Sequence, residues 1–195
     1  MHGDLNFCAR CGAPLAPRQE SSYTVMACTN PACGRINYRN AKPCAGVFLE
    51  HDGRLLLVQR AIAPYKGDWD IPGGFLQEWE HPADGARRET HEETGLEIEL
   101  TALLGIFVDR YGDADFNTLN IYYRARVLGG VLRPADDAER LEWFAPGALP
   151  ANIAFPGHQH HVLALWREAI ARDPHPRREP GLDAFVAPSA LKIPV

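Results

Sequence analysis

The stretch GGFLQEWEHPADGARRETHEETGL, which begins at Gly73, constrains this chain more than any other. Pro82 is a favoured first helical residue and Gly95 a favoured C-terminal cap, so the spacing predicts a helix between them. On that helix Glu89, Glu92 and Glu93 fall at i, i+3 and i+4, with Arg87 and Arg88 just before them. Three carboxylates on one helical face repel one another, which does nothing for stability. A positive partner is expected there. Hard divalent cations take oxygen ligands and share them with phosphates, so the pattern suits magnesium or manganese. Taken alone, E-x-x-E-E also fits a solvated acidic helix face.

A second constraint lies upstream. Cys8, Cys11, Cys28 and Cys33 give C-x2-C and C-x4-C, and Gly12 and Gly34 follow the second cysteine of each pair. A segment of about 40 residues, poor in core residues, needs a staple to fold. Four thiolates complete a tetrahedral zinc shell with no open position, which marks a structural site. The glycines let the backbone turn tightly so that amides can point at sulfur. Residues 1–40 are therefore read as a zinc ribbon. Cys44 stands apart in an apolar stretch and reads as a small buried hydrophobe.

The remaining pattern is that of one α/β domain. CAGVFLE, HDG and RLLLVQRA read as a β-hairpin around a tight turn. PYKGDWDIPGG reads as a loop. LEIELTALLGIFV, TLNIYYRARVL and RLEWF read as strands. HVLALWREAI carries a helical stripe of Val162, Leu163, Leu165, Trp166 and Ile170. Residues 41–171 form the main domain, and the Pro-rich residues 172–195 an extended or disordered arm. His158, His160 and His161 precede the stripe and read as a polar helix start rather than as metal ligands.

Hydrophobic residues make up 46% and charged residues 23%, a globular composition. No run of about 18 apolar residues predicts a membrane span. MHGDLNFCAR has no apolar signal core, so a cytoplasmic protein is expected. The net charge of -5 argues against general affinity for nucleic-acid backbones, although residues 1–42 are basic.

The wider spacing around the glutamates is specific. Gly74, five residues, Glu80, seven residues, Arg88-Glu89, two residues, Glu92-Glu93, one residue, then Gly95-Leu96 resembles the Nudix box of nucleoside-diphosphate-X hydrolases. The resemblance covers roughly residues 42–170. It implies an α/β/α sandwich around a mixed sheet and metal-dependent hydrolysis of a phosphoanhydride. By position, Glu89, Glu92 and Glu93 would be the metal carboxylates and the Gly73 carbonyl a further ligand. Arg88 would hold carboxylates in a charge-assisted fork. Glu80 would pair with Arg88 or join the metal shell through water. A further acid would come from PADDAERLEWF, where Asp137 is preferred and Glu139 stands second. Trp79 departs from the family pattern, which often has glycine before Glu80. Gln77 and Thr90 depart as well. Gly85 inside the helix costs roughly 1 kcal/mol against alanine, which close packing would justify.

A ribbon ahead of such a domain is similar to NADH pyrophosphatases, but their SQPWPFP signature is not present. It also resembles ribbon-bearing relatives acting on ADP-ribose or FAD. The expected reaction is cleavage of a pyrophosphate joining a nucleotide to a second group, releasing a nucleoside monophosphate. Trp69, Phe75, Trp79, Tyr111 and Phe155 are candidates for a base clamp. A homodimer organised by the ribbon is expected. Two alternatives stand beside this reading. One is a ligand sensor whose ribbon contacts a partner or nucleic acid, and the other is an RNA 5′-cap hydrolase.

Overall fold

The computed structural model describes residues 6–114 and 116–174. The expected arm lies outside the described residues from position 175 onward. The chain divides into two compact units, Met1–Ala41 and Lys42–Val195. In the first, β1 (Leu15–Glu20), β2 (Tyr23–Cys28) and β3 (Ile36–Asn37) make a small antiparallel sheet in that order.

The second unit is built on β4 (Lys42–His51) and β5 (Arg54–Arg60). Asp52 and Gly53 both take left-handed φ, 48° and 70°, which is what a two-residue hairpin turn with matching twist requires. The two strands stay paired only next to that turn, at Glu50↔Leu55 and His51↔Arg54. Beyond it they splay. Each then needs a new partner for its backbone groups. The segment expected to be a plain loop supplies both: β6 (Trp69–Asp70) pairs with β5, and β7 (Gly73–Phe75) pairs with β4. The GDWDIPGG stretch is thereby drawn into the mouth of the split.

After α1 (Pro82–Thr94), β8 (Leu96–Arg110), β9 (Asn117–Gly130) and β10 (Ala138–Phe144) complete the sheet, in the order β10-β5-β4-β9-β8. The β4–β9 pair is parallel and the others are antiparallel, so the sheet is mixed. Strand alternation sends side chains to both faces. Val47, Leu49 and Leu56 join Ala83 and Ala86 of α1 in one core. Phe48, Leu55 and Leu57 join Val162, Leu163 and Trp166 of α2 (Pro156–Arg172) in the other. Burying each of the larger side chains contributes about 1.5–3 kcal/mol. This is the expected α/β/α sandwich.

Two details explain how α1 and α2 are seated. Gly85 faces Leu76, whose Cδ2 would collide with any Cβ there, so close packing does account for a helical glycine. Arg124 donates to both oxygens of Glu50, at 2.7 and 2.8 Å, and to the Asp173 carbonyl, while Trp166 Nε1 donates to Glu50 Oε1. That buried knot ties the C-terminal end of α2 to β4 and β9.

Candidate active site and metal centres

Helix α1 starts at Pro82 behind His81, whose Nδ1 accepts from the Ala83 N–H, and stops at Gly95 with φ 71°. Its carboxylates are gathered by one side chain. Arg88 donates to both oxygens of Glu80 (2.7 and 2.8 Å), to Glu89 Oε1 (2.8 Å), to Glu92 Oε2 (2.8 Å) and to the Phe75 carbonyl (3.1 Å). The positive partner seen among these glutamates is therefore the Arg88 guanidinium. Its hydrogen bonds hold the Glu80 carboxyl below its ordinary range. Thr90, one of the departures from the family pattern, is buried with its hydroxyl donating to the Ala86 carbonyl at 2.7 Å. The polar atom is satisfied inside the helix.

Glu89 and Glu93 face a cavity of about 220 Å³ that opens where β4 and β5 splay. Glu93 accepts from the Gly73 N–H at 3.0 Å. Gly74 carries no Cβ because one would sit 2.6 Å from the Glu89 carboxyl. Asp137 reaches the same cavity for a backbone reason. The last carbonyls of α1 lack helical partners, and the strand-to-strand connection after β9 supplies them. The Arg133 N–H donates to the Thr94 carbonyl and the Ala135 N–H to the Glu93 carbonyl. Asp136 then turns with φ 54° and Asp137 follows into the cavity, whereas Glu139 lies outside it on an exposed stretch. Burial pushes the Glu93 carboxyl well above its ordinary range, reinforced by Asp137 and Asp70. Burial raises Glu89 as well, against the pull of Arg88. Desolvated carboxylates of one sign, with Gly73 beside them, are a donor set suited to a hard cation. Such a cation would compete with Arg88 for Glu89 and Glu92.

The other side of the cavity is aromatic. Phe75, Tyr111 and Phe155 line it. Tyr111 stacks on Phe116 (5.3 Å, 15°) and contacts Phe75 (5.3 Å) and Phe155 (5.4 Å). Lys42 Nζ lies 3.8 Å from the Phe116 ring centre. Two sequence candidates stand elsewhere. Trp69 is buried edge-on against Phe144 in the α2-side core, and Trp79 projects into solvent. Glu92 and Glu80 sit outside the lining, tied to Arg88. Among residues the sequence reading passed over, Arg60 donates to Asp70 at 2.9 Å, and Gln159 donates to Asp70 and to the Tyr122 hydroxyl. Arg60, Asp70 and Tyr122 all line the cavity, with Asn120 and Thr118. Cys44 lines it too, and burial pushes its thiol up to about 12. It is half-buried rather than enclosed.

In the first unit the Cys8, Cys11, Cys28 and Cys33 sulfurs all lie within 4.8 Å of one another. Cys8 and Cys33 are 3.8 Å apart and Cys11 and Cys28 3.4 Å. Zinc–sulfur bonds of about 2.3 Å set tetrahedral sulfur edges near ~3.8 Å, so the cluster fits a zinc ion. Among the described residues no other group of three or more such ligands is this tight. Backbone N–H groups, led by that of Arg10, pull the Cys8 thiol down to about 6, while burial pushes Cys28 up to about 12. Gly12 and Gly34 have φ of 70° and 59°, as tight turns require, but their N–H groups donate to the carbonyls of Cys8 and Asn30 rather than to sulfur.

Known proteins share this architecture. A Nudix domain model matches residues 41–166. An ADP-ribose pyrophosphatase of Methanocaldococcus jannaschii is 35% identical over 108 residues, 55% of this chain and 63% of that protein. An NAD-capped RNA hydrolase, NudC, of Stutzerimonas stutzeri is 26% identical over 172 residues, 87% of this chain and 59% of that protein. The chain thus spans under two thirds of the length of both relatives. A Nudix hydrolase crystal structure from Nitrosomonas europaea superposes with a TM-score of 0.72 at 26% identity, covering 90% of this chain and 97% of that one. With its box glutamates gathered on α1 and the domain match covering more than half its length, the chain belongs to the Nudix hydrolases, pyrophosphohydrolases of nucleoside diphosphate derivatives.

Proposed function

We propose that this chain hydrolyses the pyrophosphate of a nucleoside diphosphate joined to a second group, with ADP-ribose, FAD and NAD(H)-like compounds as the substrate class. The observation that carries the reading is one cavity with two walls, acidic at Glu89, Glu93 and Asp137 and aromatic at Phe75, Tyr111 and Phe155. A diphosphate lies along the first and a base against the second. The likeness to an ADP-ribose pyrophosphatase supports the same class.

Glu89, Glu92, Glu93, the Gly73 carbonyl and Asp137 would hold magnesium or manganese. A cation held there would neutralise the diphosphate and lower the pKa of a water. Glu89 lies on the cavity wall, where its carboxylate would take the proton of the attacking water. The water oxygen bonds to one phosphorus as the anhydride P–O bond breaks, and the other phosphate leaves. Arg88 holds Glu89 and Glu92 in position before a cation arrives. The four cysteines hold a structural zinc, which takes no part in the chemical step. The reading carries a cytoplasmic setting, where thiols stay reduced. It also carries a homodimer, supported by Ile106 and Val108, both exposed on the edge strand β8.

Turnover of ADP-ribose, FAD, NADH and dinucleoside polyphosphates, set against nucleoside triphosphates, tests the class. Preference for triphosphates, with release of pyrophosphate, would overturn it. A second reading, removal of an NAD cap from RNA, is favoured by the NudC match, which extends over 87% of this chain. Faster release of nicotinamide mononucleotide from capped RNA than from free NAD would establish it. Elemental analysis should find one zinc per chain, lost in Cys28→Ser and kept in Cys44→Ser. Sedimentation velocity of Ile106→Lys tests the dimer, which should weaken.

A further inference from the structure

Trp79 meets two unfavourable conditions at once. Its backbone φ is +70°, a left-handed conformation that bulky residues rarely adopt. The residue is also 71% exposed, second only to Val131 among the exposed large hydrophobic residues described. Packing does not explain either. The turn that carries it is nonetheless fixed. The Glu80 N–H donates to the Gln77 carbonyl at 3.2 Å, and the Gln77 N–H donates back to Glu80 Oε2 at 2.9 Å. Glu80 is in turn held at both oxygens by Arg88, whose remaining nitrogen, Nη1, holds both Glu89 and Glu92. A strained, solvent-facing indole is thus displayed from a rigid turn one residue away from the clamp that positions the active-site carboxylates. Strain that persists in an over-determined turn is a sign of function.

The aromatic wall of the cavity begins at Phe75, four residues earlier. Fully extended, four residues span at most about 14 Å, which bounds the separation of the Phe75 and Trp79 backbones. We propose that Trp79 is a second stacking platform, which takes the planar ring of the group beyond the diphosphate. The substrate class then narrows to a dinucleotide diphosphate, with one ring on the Tyr111 side and the other on Trp79. This rests on reading the cavity as a pyrophosphate site. Stacking on an exposed indole needs no hydrogen-bond partners, so the platform accepts any flat heteroaromatic ring.

The test measures calorimetric binding of methylene-bridged diadenosine diphosphate, which cannot be hydrolysed at the bridge, alongside KM for FAD and for ADP-ribose. Trp79→Ala should weaken binding of the analogue and raise KM for FAD about ten-fold, within the usual range for one stacked base. KM for ADP-ribose should stay within about two-fold, and the melting temperature should not fall. Trp79→Phe should restore most of the dinucleotide binding. Equal losses on FAD and ADP-ribose, or no loss on either, overturn the proposal, as does a wild-type chain that does not bind the analogue. A wild-type chain that binds the analogue through Trp79 but cleaves no diphosphate would instead overturn the proposed hydrolysis and leave the platform standing.

Discussion

Replacing Arg88 should damage stability and chemistry together, by amounts the contacts allow to be worked out. The Arg88 side chain is 23% exposed, Glu80 13%, Glu89 14% and Glu92 45%. The Glu92 contact is too exposed to be worth more than about 0–1 kcal/mol. Glu80 and Glu89 are different, because Arg88→Ala strands them half-desolvated. Removing one partner of a buried pair costs about 3–5 kcal/mol. Partial solvent access places this cluster at the lower end, near ~3 kcal/mol, and the lost bond to the Phe75 carbonyl adds about 1 kcal/mol. At about 2–4 °C per kcal/mol for a domain of this size, Tm in chelator should fall by roughly 8–16 °C. Arg88→Lys keeps the charge but not the fork, and should lose about half as much. Glu89 and Glu92 lose their common anchor in both variants, and misplacement by about 1 Å can cost on the order of 10²-fold in kcat. Thermal melts with and without magnesium, with initial rates on ADP-ribose, decide the matter. An Arg88→Ala protein that melts within about 2 °C of wild type, with kcat within a factor of about three, would refute the clamp.

Three further outcomes are expected. Glu92→Gln should lower kcat by on the order of 10²–10³ while Tm in chelator stays within about 2 °C, because that side chain is 45% exposed; near-normal turnover in magnesium would remove Glu92 from the metal set. Glu50→Gln strands the buried Arg124 guanidinium and should cost about 3 kcal/mol with kcat on surviving folded protein unchanged, since Glu50 is not on the cavity; a melt unaffected by the change would show the knot to be neutral. Burial raises Glu89 and Glu93 in the folded chain, so without metal the folded state retains protons that the unfolded state gives up above about pH 4.3. Metal-free stability should therefore fall as pH rises through the raised folded values, and magnesium should offset that fall. The Cys8 thiol, lowered to about 6, acts in the opposite sense, so melts in chelator at about pH 5 and pH 8 compare wild type with Glu93→Gln; a wild type that loses no more stability between the two pH values than the variant would contradict this.

The parts of this molecule legible in the sequence are those fixed by local chemistry. Pro82 and Gly95 bound α1 because a helix start tolerates a missing N–H and its end a left-handed residue, and both requirements are met within one or two residues. The cysteine spacing was sufficient for the sulfur cluster because both knuckles are local turns. Asp137 was within reach of sequence reasoning, but its place on the cavity, with Asp136 and without Glu139, follows from the connection after β9, which hydrogen-bonds to the end of α1. What stayed hidden depends on the splayed hairpin. Nothing in RLLLVQRA says that β4 and β5 part after two residue pairs, yet that parting recruits GDWDIPGG as strands and makes the cavity. Arg60, Asp70, Tyr122 and Gln159 come from four separate segments, and only the sheet order brings them together. Trp69 and Trp79 show the same limit from opposite sides. Both are tryptophans flanked by acidic residues and close to glycines or turns, which leaves their local sequences nearly equivalent. One is drawn inward because β6 must pair with β5, and the other is turned outward because Glu80 must reach Arg88. Backbone demands elsewhere in the fold, not the preferences of the residue itself, decide which indole a ligand can touch.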